Sequence, residues 1–209
     1  HIRSFNPDVK FLLENVRMKK EWGDIISQHL NCAPILIDSA LVSAQERKRL
    51  YWCSWDVMTM SDDKRLVLRD ILVDIPTDWV VGILQRPRGK NKGGLHVDKC
   101  PTLLANSGGN KEKKIGIICN VNPSGRGMSG RVASIHGKSP TLTTSEGVKI
   151  GDIADDEKLW YRKALPVECE RLQTLPANYT DCVSKTQRYK QLGNGWTVDV
   201  VAHIFRGMK

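Results

Sequence analysis

Residues 86–138 carry eleven lysines and arginines against two acids, Asp98 and Glu112. The rest of the 209-residue chain is neutral, with twenty-one residues of each sign, so the formal charge of +9 sits in one internal segment. That segment also holds ten of the seventeen glycines. Such a stretch reads as an insertion in a globular body. A basic, glycine-rich insertion suits a grip on a polyanion. A merely solvated loop region is the plainer alternative.

The body has a legible pattern. Hydrophobic residues make up 40% of the chain, which suits one folded domain carrying a smaller lobe. No apolar run approaches the roughly 18 residues a membrane helix needs. Lys10–Leu13 predicts a short buried strand. Lys19–His29 predicts an amphipathic helix, with Trp22, Ile25 and Ile26 at helical spacing. Pro34–Val42 and the aromatic Arg49–Trp55 predict strands, and Leu66–Val73 a helix. Strands alternating with helices imply an α/β fold with a largely parallel sheet. Helices are expected again over Pro166–Thr174, Ser184–Leu192 and Thr197–Met208. The expected organisation is a partial α/β domain over 1–85, the basic lobe over 86–150, and a return to the first domain over 151–209. Inside the lobe, Lys99–Gly109 and Lys138–Val148 share a K-x-P-T-L frame and read as extended segments.

The six cysteines are scattered, with no C-x-x-C pair and no zinc spacing among Cys and His. They predict free thiols in a reducing compartment, cytoplasmic or nuclear. No metal is expected.

Four short motifs carry the chemistry. The first is E-N-V, Glu14 to Val16, where an apolar run ends in a carboxylate. Ligands of parallel sheets bind at the carboxyl ends of strands, so Glu14 is placed to face a cleft; a surface or capping glutamate is the bland reading. The second is Gln45, Arg47 and Arg49, which alternate and so share a face of an extended chain. Planar polar heads suit bases and phosphates, although a solvated charge run has the same composition. The third is R-K-A-L-P-V-E-C-E-R-L-Q-T-L-P, Arg162 to Pro176. The fourth is the G-N-G-W turn at Gly193–Trp196, whose free amides, amide side chain and aromatic face suit a nucleotide-like cofactor.

In this order the four resemble the DNA (cytosine-5) methyltransferase family, over the whole chain. S-P-T-L-T-T at Ser139–Thr144 and N-Y-T-D at Asn178–Asp181 are similar to its bacterial, phage and de novo-type members. The resemblance implies the second part of a Rossmann-like methyltransferase sheet with an inserted, irregular β-rich target recognition lobe. It implies base flipping in double-stranded DNA, addition of a cysteine thiolate to carbon 6 of cytosine, and methyl transfer from S-adenosylmethionine to carbon 5. Glu14 would hold the ring nitrogen and exocyclic amine of the flipped base. Arg49 would meet its carbonyl oxygen, with Arg47 and Gln45 ordering the site. Asn194 and Trp196 would line the cofactor pocket. Asn15, Gln45, Thr141, Thr143, Arg126 and Arg131 are the residues expected to meet DNA.

Two family motifs are absent from these residues: F-x-G-x-G of the cofactor site, and the Pro-Cys pair of the nucleophile. Cys100 precedes a proline instead of following one. In the family both motifs come before E-N-V. The chain, which opens on His1, is therefore read as part of a longer protein, inactive without the missing part or a complementing chain. A non-catalytic DNA-binding relative and an RNA cytosine methyltransferase of the same fold are the competing readings.

Overall fold

The computed structural model describes the backbone of residues 2–60, 62–73, 80–85, 94–96, 117–121, 130–142, 144, 147–153 and 158–208. Arg126, Thr143, Cys100 and the first K-x-P-T-L segment lie outside the described residues.

After a short helix α1 (Ile2–Phe5), the chain forms β1 (Leu12–Val16), α2 (Lys20–Leu30), β2 (Ile35–Asp38) and β3 (Lys48–Cys53). The three strands make one sheet in the order β1-β3-β2. β3 is antiparallel to both neighbours. The expectation of a largely parallel sheet is corrected for these pairings. β1 and β2 run the same way, joined through α2, but β3 lies between them. The β2–β3 connection reverses the chain through a tight helical turn at Ser39–Leu41, too short for the crossover a parallel pair needs.

β1 also starts and ends later than the apolar run suggests. Glu14 and Asn15 stay in the strand because β3 pairs with them, Glu14 opposite Tyr51 and Asn15 opposite Leu50. Glu14 therefore sits mid-strand and not at a strand end. The helix expected at Leu66–Val73 is only one tight turn, Leu68–Ile71. The amides of Leu68 and Arg69 donate to the carbonyls of Gly137 and Ile135 at 2.8 and 2.7 Å, so tertiary bonds replace the helical ones.

The sheet is covered on both faces. Trp52, fully buried, donates its indole N–H to Ser27 of α2 at 2.9 Å. α2 ends at Asn31, whose φ of 54° closes the helix in the left-handed conformation. On the other face Ile37, Tyr51 and Cys53 pack against Val200 and Ile204 of the last helix.

The second sheet comprises β4 (Val80–Gln85), β5 (Gly94–His96), β6 (Ile117–Asn120), β7 (Arg131–Ser134), β8 (Lys149–Ile153) and β9 (Lys158–Lys163). Its order is β5-β4-β9-β8-β7-β6, antiparallel except for β7 with β8. It draws strands from both sides of the segment marked by charge, since β4 pairs with β9. Charge marks which segment is basic; it does not report which strands outside that segment complete the ladder.

Three helices follow: α3 (Pro166–Leu172), α4 (Lys185–Asn194) and α5 (Val198–Arg206). Ala133 of β7 and Ile150 of β8 share a core with Cys169 and Leu172 of α3 and Tyr189 and Leu192 of α4. Among the described residues no helix is long and apolar enough to cross a membrane.

Candidate active site

Glu14 and Arg49 meet on adjacent strands. Arg49 stands opposite Val16, and its side chain crosses diagonally to Glu14 with Nε 2.9 Å from Oε1. Both side chains keep a minor part of their surface open to solvent. Alternation puts Asn15 on the other face of β1, away from this pair; its Oδ1 accepts the Val16 amide at 2.8 Å.

Tyr51 continues the alternation of Gln45, Arg47 and Arg49 by one more step. Burial, and then the charge of Glu14, pushes its phenol up to about 12, so it stays protonated. Sequence reasoning did not single it out, although its place two residues after Arg49 was the available signal.

Arg47 is 4% exposed and lies just ahead of β3. Its backbone amide donates to Asp38 Oδ1 at 3.0 Å. Its guanidinium donates to the carbonyl of Gly195 at 2.8 Å and to that of Gly193 at 3.4 Å. Burial, then the like charge of Arg49, lowers its pKa, and Glu14 and Tyr51 oppose the shift. The arginine expected to order the base site thus reaches the G-N-G-W turn.

Gln45 is wholly buried, and neither of its side-chain amide atoms has a hydrogen-bond partner among the described residues. Its backbone forms a parallel bridge to Ser139. The Glu46 amide donates to Ser139 O at 2.8 Å, the Ser139 amide to Ala44 O at 2.7 Å, and Thr141 Oγ1 to Glu46 O at 3.0 Å. The second and S-P-T-L-T-T motifs are therefore stitched together. Lys138 locks the seam, donating to the carbonyls of Ala40, Ser43 and Leu66. Its ammonium is already engaged inside the fold, unlike the exposed Arg131.

The G-N-G-W turn joins α4 to α5. Gln173 braces it: Nε2 donates to Leu192 O at 2.7 Å, and its carbonyl accepts the Val198 amide at 2.9 Å. Ser39 donates to Thr197 at 2.9 Å, which donates on to Gln173 Oε1 at 3.0 Å. A Cβ on Gly195 would stand 3.0 Å from the Gln191 carbonyl, so the tight turn favours glycine there. Asn194 is exposed and Trp196 is 45% exposed. A cavity of about 580 Å³ opens beside Trp196, lined also by Gly195, Tyr179, Cys182, Leu175 and Val198.

The Arg162–Pro176 motif is a brace. Arg162 makes a buried two-pronged pair with Glu168 at 2.6 and 2.8 Å. Glu168 also accepts the amides of Leu165 and Val73. Glu170 accepts from Arg188, from Thr180 and from the Asn178 amide, which ties α3 to α4 and to the N-Y-T-D stretch.

Burial pushes the thiols of Cys53 and Cys169 up, to about 11 and about 12. Cys32 is raised too, again by burial. None of these three is set up as a thiolate nucleophile. Among the described residues no cluster of His, Cys, Asp and Glu could hold a metal ion.

Solved structures share this architecture. The Entamoeba histolytica methyltransferase EhMeth aligns over 96% of this chain with a TM-score of 0.53 and 15% identity. A DNA modification methyltransferase encoded within an E. coli prophage aligns over 99% with a TM-score of 0.55 and 19% identity. The S. pombe Dnmt2 methyltransferase aligns over 94% with a TM-score of 0.53 and 15% identity. The chain spans 63%, 70% and 64% of the lengths of those three proteins. At such identities the likeness is one of fold, and the fold is that of a methyltransferase: the second part of a Rossmann-like sheet with an inserted lobe. The family follows from the sequence profile of the C-5 cytosine-specific DNA methylases, which matches residues 2–209. The chain belongs to that family.

Proposed function

We propose that this chain is the part of a DNA (cytosine-5) methyltransferase that holds the target base and walls one side of the cofactor. The observation that carries the reading is the Glu14–Arg49 pair, 2.9 Å apart on neighbouring strands, in a member of the C-5 cytosine-specific DNA methylase family. An acid beside a guanidinium matches one edge of cytosine. Glu14 takes the exocyclic amine and the ring nitrogen, and Arg49 turns its donors to the carbonyl oxygen. As a thiolate adds at carbon 6, electron density moves toward that nitrogen and oxygen. A proton held by Glu14 and the fixed charge of Arg49 stabilise it there. Once carbon 5, made nucleophilic by this addition, has taken the methyl group, loss of its proton and departure of the thiolate from carbon 6 restore the ring. The thiol is that of the family's Pro-Cys motif, which these 209 residues lack.

The exposed indole face of Trp196, beside a cavity, and the amide of Asn194 fit one flank of an adenosyl group. S-adenosylmethionine, when bound, supplies the methyl group. The glycine-rich wall of its pocket belongs to the missing motif. In this reading the lobe of residues 86–150 meets double-stranded DNA: its basic residues take phosphates, and Arg126, Arg131, Thr141 and Thr143 are the candidates for reading base edges. A DNA substrate places the protein in the cytoplasm, or in the nucleus of a eukaryotic cell.

The test is methyl transfer by the complete protein carrying this chain, from labelled S-adenosylmethionine, to duplex DNA and to transfer RNA in parallel. Label in 5-methylcytosine of DNA is expected. Label in transfer RNA alone would favour the RNA enzyme, and DNA binding without any transfer would favour a non-catalytic relative.

A further inference from the structure

Arg47 belongs by sequence to the base-binding motif, but its side chain lies elsewhere. We propose that Arg47 is a positioning residue that couples the base pocket to the cofactor turn, by gripping the two glycine carbonyls that flank Asn194. The inference rests on the proposed function and adds to it a link between two binding sites.

Three observations carry it. First, the backbone of Arg47 is fixed from both sides. Its amide is bound to Asp38, and its carbonyl accepts the Ser39 amide at 3.1 Å. Second, the guanidinium is buried and its two terminal nitrogens are directed at Gly193 and Gly195, 146 and 148 residues further along the chain. A buried fork of this kind is not free to take a phosphate. Third, Arg49, Glu14 and Tyr51 all act electrostatically on Arg47. When a base draws Glu14 and Arg49 apart, the balance of charge at Arg47 changes, and the turn it holds responds. Lysine is not equivalent there, since it lacks the planar fork whose two terminal nitrogens each meet one of the glycine carbonyls.

Coupling of this kind is reciprocal: whatever DNA does for cofactor affinity, the cofactor does for DNA affinity. The experiment is calorimetry on the complete protein, with S-adenosylhomocysteine as the probe, alone and with a saturating duplex that contains the target cytosine. The wild type is expected to bind the probe more tightly with DNA, by about tenfold. Arg47→Lys is expected to weaken binding without DNA and to bring the DNA-dependent factor close to one, while DNA affinity alone holds. Thr197→Val serves as a comparison, because it loosens the same turn at Gln173 without removing a bond to Arg47. It should weaken the probe equally with and without DNA. Retention of the full DNA-dependent factor in Arg47→Lys, or loss of DNA affinity with the probe unaffected, would overturn the coupling. If the wild type binds no probe at all, the methyltransferase reading fails first. Thermal unfolding of each variant, and Arg47→Gln as a second substitution, separate a lost link from a lost fold.

Discussion

Among the described residues, Gln45 is the one whose buried side-chain amide has neither end bonded. A buried amide with neither end bonded costs on the order of 1–3 kcal/mol. No packing reason for the choice is visible, because methionine has similar volume and no polar atoms. A residue retained for the site, and not for the fold, explains it. Gln45→Met is therefore expected to raise the unfolding free energy by about 1 kcal/mol in urea titration while lowering methyl transfer. A destabilised variant with full activity would assign Gln45 to the fold. Arg49 and Lys138 show the opposite partition. Both are basic residues in or near the same motif seam, yet one is aimed at Glu14 and the other is bound to three carbonyls. Charge counted along the sequence treats them alike.

α3 owes its place to acids that serve no chemistry. Glu170 is fully buried, and burial alone would raise its pKa. Donors from Thr180, Arg188 and Asn178 outweigh burial and hold it below its ordinary value of 4.5. A depressed carboxyl stabilises the fold above the unfolded pKa, and the stabilisation is lost as pH falls through the folded one. Unfolding free energy should then drop steadily below about pH 4.5. Glu170→Gln should lose about 3–5 kcal/mol at neutral pH and show a shallower acid slope, read from denaturation curves between pH 3 and 7. An unchanged slope would remove Glu170 from the acid response. The elements most legible in the sequence were those set by local periodicity. α2 and the three final helices fall within a residue or two of the pattern of Trp22–Ile25–Ile26, of Pro166 and of Val198–Ile204. Those set by distant partners were not legible. Leu66–Val73 has a helical pattern, but its amides bond across to Ile135 and Gly137. β3 entered between β1 and β2 because of a short reversal at Ser39–Leu41, which no periodicity reports. The pairing of Glu14 with Arg49 needed both motifs and their register together; the resemblance supplied the first, and only the fold supplied the second.

At the scale of the whole molecule, a neutral α/β part is joined to a sheet whose intervening segments carry the positive charge. If those charges meet phosphates, about six contacts give a slope near −5 in a plot of log affinity against log salt. Replacing Lys111, Lys113 and Lys114 together should flatten that slope and leave sequence preference intact. Lys138→Met should leave the slope unchanged and lower stability, since its ammonium is engaged by the fold. A slope near zero in the parent protein would end the polyanion reading. The measurement that bears most directly on the central claim is methyl transfer from labelled S-adenosylmethionine to duplex DNA by the complete protein, parent against Glu14→Gln. Glutamine keeps the shape and the hydrogen bond to Arg49 but cannot hold the proton that the ring nitrogen needs. Transfer should fall by roughly a hundredfold or more, with DNA affinity held within a few-fold. Equal rates in the two proteins would contradict the role of Glu14, and with it the account of how this chain holds its base.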